Sequence, residues 1–133
     1  MDTIIKKTND CLLESFSETF NILDSSINEL RIHLDEGCLV IEIYMKLSYP
    51  QGINFKLSFR DVKQYSFCWN DNYIFYNIES YKFFKANNLF YISFDPDGEE
   101  NIVSQNDKDF ILCENIEGSF LNTSAGGESP CSA

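Results

Sequence analysis

SINELRIHLDEGCLVIEIYMKL, residues 26–47, decides the fold. Asn28, Leu30, Ile32 and Leu34 share one parity, and Ile27, Glu29, Arg31 and His33 share the other. A period of two is the mark of a strand with one face on a core. After Asp35-Glu36-Gly37 the alternation resumes more cleanly. Leu39, Ile41, Ile43, Met45 and Leu47 form an apolar file, opposed by Cys38, Val40, Glu42, Tyr44 and Lys46. Two alternating runs around an acidic glycine turn predict an antiparallel hairpin, because glycine relieves turn strain and consecutive strands tend to pair.

Working outward, residues 9–20, NDCLLESFSETF, read as a helix. Leu12, Leu13, Phe16 and Phe20 recur near helical spacing, and Asn9 is placed to cap it. So short an apolar face is stable only when docked, so this helix covers one end of the core. Tyr49-Pro50-Gln51-Gly52 predicts a turn, and Ile53, Phe55, Leu57 and Phe59 restart the alternation. Asp61 marks a bend before VKQYSFCW, and Asn70-Asp71-Asn72 the next turn. Strands are expected over 73–79 and 89–94, whereas SYKFFKANN between them fits a strand, a helical turn or both. Asp95-Pro96-Asp97-Gly98 opens a polar loop that runs to about Lys108. Phe110–Cys113 form a short strand, followed by a further segment over Ile116–Leu121.

The expected fold is therefore mainly β: six to eight strands in an antiparallel sandwich or partly open barrel, with an N-terminal helix. Residues 1–121 form a single compact β domain, and 122–133, rich in Ser and Gly, form a flexible C-terminal tail. A chain of 133 residues with 44% hydrophobic content is large enough for an independent core.

Composition narrows function by exclusion. Ten Lys and Arg face 21 Asp and Glu, so the net charge is −11, which disfavours direct binding to nucleic acid or anionic lipid. No stretch approaches a membrane span, and the N-terminus lacks the apolar core of a signal peptide. Five cysteines, Cys11, Cys38, Cys68, Cys113 and Cys131, show no CxxC pair. The expectation is a cytoplasmic protein with free thiols and no metal or cofactor. Cys38, Cys68 and Cys113 are expected to be shielded by packing, and Cys131 to react readily.

No catalytic pattern emerges. His33 is the only histidine and lies on the polar parity of its strand. The DPDGEE segment, 95–100, offers clustered oxygens but lacks the spacing and terminal Glu of an EF-hand, so it reads first as an acidic turn. Charge distribution says more. Residues 91–120 carry eight acids against Lys108 alone. Asp95, Asp97, Glu99 and Glu100, with Asp107 and Asp109, are the candidate partner-binding residues; a solubilising surface is the competing reading. An alternative ligand platform is aromatic, built from Tyr65, Trp69 and Tyr73, although these rings also suit a core.

The Leu23-Asp24-Ser25 segment, INFKLSFRDV at 53–62, YISFDPDG at 91–98 and DFILCENIEG at 109–118 span most of residues 20–120. Together they resemble small uncharacterised bacterial β proteins, including immunity-protein-like families associated with polymorphic toxins. That resemblance implies a compact β domain that neutralises a toxin; the acidic charge adds the expectation that the toxin is a basic protein, blocked sterically. The alternative expectation is a domain that binds a small ligand or carbohydrate.

Overall fold

The 26–47 hairpin forms as its alternation requires. In the computed structural model, which describes residues 4–18, 21–49, 51–68, 71 and 77–121, strand β2 (Ser26–Asp35) pairs antiparallel with β3 (Cys38–Ser48). Asp35 lies opposite Cys38, so Glu36 and Gly37 alone make the turn, with φ of 55° and 83°. Two consecutive positive φ angles match the right-handed twist of the flanking strands, which is why a glycine belongs there.

The helix is α1 (Asn9–Glu18), preceded by a strand that the sequence reading did not anticipate, β1 (Ile4–Thr8). Asn9 does not cap. It sits at φ 50°, its side-chain oxygen accepts from the Ile116 N–H at 2.9 Å, and its amide nitrogen donates to Asn115 Oδ1 at 3.3 Å. The residue thus pins the strand-to-helix corner onto the sheet.

The remaining strands are β4 (Gln51–Ser66), β5 (Lys82–Ala86), β6 (Leu89–Asp95) and β7 (Lys108–Leu121). The expected bend at Asp61 is a bulge within one long strand: Asp61 adopts φ 53°, and the register on β7 slips between Val62 and Gln64. Aspartate tolerates the left-handed region, and the extra residue bends the strand without ending it. The two segments expected after Lys108 are likewise one strand. SYKFFKANN resolves into β5 and a two-residue turn, Asn87-Asn88, both in the left-handed region.

Among the described residues the strands form one antiparallel sheet in the order β2-β3-β4-β7-β6-β5, with β1 also on β7. β7 is the organising strand. β4 runs along one of its edges; β6 pairs with residues 108–113 and β1 with 117–121. The sheet does not close, but the segment ahead of β5 reaches the β2 end of it. Ser26 bridges Asn77, and Ile78 exchanges backbone hydrogen bonds with Asp24 and Ser25 at 2.6 and 3.0 Å. Of the two expected arrangements, sandwich and partly open barrel, this single unclosed sheet matches the second.

The core lies on one face. Ile41, Ile43, Met45 and Leu47 of β3 meet Phe55, Leu57 and Phe59 of β4, Phe90 and Ile92 of β6, and Ile111 of β7. Leu12 and Phe16 of α1 close one end. The helix can approach because position 118 is glycine: a Cβ there would lie 2.7 Å from Leu12 Cδ1 and 2.8 Å from Phe55 Cζ.

Candidate functional site

The other face of β5, β6 and β7 carries the feature that the sequence reading missed. Their register puts Lys82 beside Ser93, Phe84 beside Tyr91, and Ser93 beside Phe110. Phe84 and Tyr91 rings lie 5.2 Å apart, and Tyr91 stacks on Phe110 at 5.7 Å. The chain between β6 and β7, residues 96–107, is fastened here.

The fastening is a buried ion pair. Lys82 Nζ donates to Asp107 Oδ1 at 2.9 Å, and the two side chains are 1% and 0% exposed. Tyr91 OH donates to Asp107 Oδ2 at 2.7 Å. The backbone N–H groups of Asp97 and Ser104 donate to the same carboxylate at 2.8 and 2.9 Å. Lys82 also donates to the Ile102 carbonyl at 2.9 Å. Burial opposes ionisation of Asp107, but the Asp97 and Ser104 N–H groups, the Tyr91 hydroxyl and Lys82 outweigh it and hold the carboxyl below its ordinary range. Burial, reinforced by the adjacent Asp107, pushes the Tyr91 phenol well up, so it remains a donor.

The carboxylate therefore ties two points of the loop, Asp97 and Ser104, to the sheet, and its partner Lys82 ties a third, Ile102. Ser104 Oγ donates to Asp97 Oδ2 at 3.1 Å and accepts from the Asn106 N–H at 3.1 Å, bracing the same turn. With its carbonyl drawn inward to Lys82, Ile102 presents its side chain to solvent. It is 58% exposed and Val103 is 55% exposed, beside the exposed acids Asp97, Glu99 and Glu100.

The expected acidic set divides accordingly. Asp97, Glu99 and Glu100 are exposed and Asp95 is half-buried. Asp107 and Asp109 are buried, at 6% and 1%, and are not available as rim groups in this structure. Asp107 is the clasp, and Asp109 Oδ1 accepts from the Cys68 N–H at 3.0 Å. Periodicity could not separate them from their neighbours, because each is buried by a distant partner. Elsewhere on β7, Glu114 and Glu117 pair with Lys63 and Lys6 at 2.8 and 3.7 Å, so the acids of 91–120 do not form one continuous face. A signal for the clasp was present in Lys82, a lone charge between Tyr81 and Phe83-Phe84 that would need a partner if buried.

Of the aromatic alternative, Tyr65 is 39% exposed with its ring 5.5 Å from Phe67; Trp69 and Tyr73 lie outside the described residues. An open cleft of about 520 Å³ lies elsewhere, lined by Leu13, Phe16, Leu23, Tyr81 and Phe83. His33 is exposed on the polar face as expected, 3.7 Å from Glu42. Cys38 and Cys68 are exposed, contrary to expectation, because each lies at a strand end beyond the core; Cys113 is buried as expected. Cys131 and the expected tail, 122–133, lie outside the described residues. Among the described residues no group of three His, Cys, Asp or Glu is placed to hold a metal ion, and no helix is long and apolar enough to cross a membrane.

Comparison with protein-family models, with curated proteins and with solved structures gives no match.

Proposed function

We propose that this chain is a protein-binding domain that captures a basic partner through residues 95–104, and that the partner is a toxin neutralised by steric occlusion in the cytoplasm. The observation that carries the reading is the clamped loop: Ile102 and Val103 stand exposed among Asp97, Glu99 and Glu100, on a backbone fixed by buried Asp107. A pre-ordered loop loses little conformational entropy on binding. Its acids steer encounter with a cationic surface, and its two apolar side chains supply area that water leaves on contact. The toxin assignment follows the resemblance carried by the 53–62, 91–98 and 109–118 segments.

The test is co-expression with the product of a toxin-type open reading frame adjacent to this gene, followed by binding kinetics on the purified pair. Growth rescue and a stable complex are expected. Changing Asp95 and Asp97 to Asn and Glu99 and Glu100 to Gln should slow association and flatten its salt dependence, since these charges act at long range. Ile102→Ser with Val103→Ser should instead speed dissociation by tenfold or more, because burying one such side chain is worth about 1.5–3 kcal/mol. A complex whose kinetics ignore both sets of changes would remove the loop from recognition. Failure of both rescue and binding would remove the toxin assignment.

A further inference from the structure

The far edge of the sheet carries a second surface, independent of the loop. β2 pairs with β3 on one side, and among the described residues its other edge is engaged only at Ser26, by the bridge to Asn77. Residues 31–35 are all exposed, including Ile32 at 40% and Leu34 at 70%, which share the apolar parity of the hairpin. Edge strands usually carry charges that deter added strands. Here the order of the charges, Arg31, His33, Asp35, makes the segment complementary to itself.

We propose that β2 is a homodimer interface, with two copies of this chain joined edge to edge by antiparallel β2 strands about a two-fold axis at His33. Opposite the Asp35–Cys38 pair that flanks the two-residue turn, the ladder alternates, so Ile32 and Leu34 direct their N–H and C=O groups to the free edge. Centring the pairing on His33 sets Ile32 opposite Leu34 of the second copy as hydrogen-bonded pairs. It also places Arg31 opposite Asp35 in the close, non-hydrogen-bonded position, twice by symmetry.

Registers shifted toward the start of β2 are worse. Moving the axis to Ile32 sets Glu29 against Asp35, and moving it to Arg31 sets two arginines together. An axis at Leu30 would need the edge at Ser26, which Asn77 already occupies. Within each copy Arg31 holds Glu29 at 2.7 Å and Asp35 holds Arg60 at 3.1 Å. Dimerisation joins these into a row of alternating charge, Glu29–Arg31–Asp35–Arg60, and covers Ile32 and Leu34.

Sedimentation velocity of the full chain, at concentrations up to the millimolar range, tests this. The apparent mass should rise with concentration from the monomer value toward twice it. Arg31→Asp and Asp35→Arg should each be monomeric, because each sets like charges opposite one another. Mixed in equal amounts, the two variants should associate, and the double variant R31D/D35R should regain the wild-type behaviour. All these positions are exposed, and circular dichroism of each variant confirms folding. A wild-type chain that stays monomeric throughout, single variants that dimerise as well as wild type, or variants that do not associate on mixing would each overturn the proposal.

Discussion

Replacing Asp107 by Asn changes little in volume and much in energy. The carboxylate accepts from Lys82, Tyr91 and the N–H groups of Asp97 and Ser104, with donors on both oxygens. An amide has one acceptor oxygen, so whichever way it turns, its NH2 faces at least one N–H donor. The Lys82 ammonium, 1% exposed, keeps the Ile102 carbonyl but loses its counter-charge. Breaking a buried pair in this way costs about 3–5 kcal/mol. With a urea slope of about 1–3 kcal/mol/M, the unfolding midpoint should fall by at least about 1 M. Lys82→Met should cost less, since Asp107 keeps its other three donors, and the double variant should recover part of the loss because no unpaired charge is left buried. The pH dependence has a definite sign. The folded carboxyl titrates below its ordinary range, so its contribution is complete above the unfolded value, about 3.9, and is lost as pH falls through the folded value. The gap between wild type and Asp107→Asn should therefore narrow below about pH 4. Urea melts followed by circular dichroism and tryptophan fluorescence measure both effects. A fall of under about 1 kcal/mol at neutral pH would mean that the pair is not desolvated and that the clasp does not hold the loop.

Two further outcomes concern packing. Gly118→Ala should destabilise the chain by about 1–3 kcal/mol, because the new methyl meets Leu12 and Phe55, both 1% exposed, and an unchanged melting temperature would refute the close approach of α1. In brief alkylation at pH 8 followed by mass spectrometry, Cys113 should stay unlabelled in the folded protein, since it is buried and its thiol is pushed up to about 12 by that burial. Exposed Cys38 should react more slowly than exposed Cys11, because a hydrogen bond to Asp61 and the charge of that carboxylate push its thiol up. Equal rates at Cys38 and Cys11 would remove Asp61 from contact with the thiol.

The hairpin over 26–47, the mainly β architecture, the N-terminal helix and the polar loop after Asp95 were legible in the sequence. Each depends on a local rule: a period of two, a helical repeat, or turn residues with left-handed tolerance. The two alternating runs and the acidic glycine turn were enough to predict the hairpin, whereas the pairing of Asp35 with Cys38 across a two-residue turn came from the structure. The continuity of β4 through Asp61 and the attachment of β1 to residues 117–121 were not legible. A bulge and a five-residue strand are stabilised by the neighbour they pair with, and that neighbour is more than fifty residues away.

The site divides along the same line. Sequence determined that the 95–100 turn would be acidic and largely exposed, because charges concentrate there with no apolar repeat to draw them inward. Only the tertiary structure decided that Asp107 and Asp109 lie inside while Ile102 and Val103 lie outside, an inversion of their side-chain preferences. The physical reason is that a buried charge is stable only where its partners converge. Lys82 and Tyr91 come from two different strands, and the Asp97 and Ser104 N–H groups from two points of the loop, so folding alone assembles the set that turns the Ile102 carbonyl inward and its side chain out.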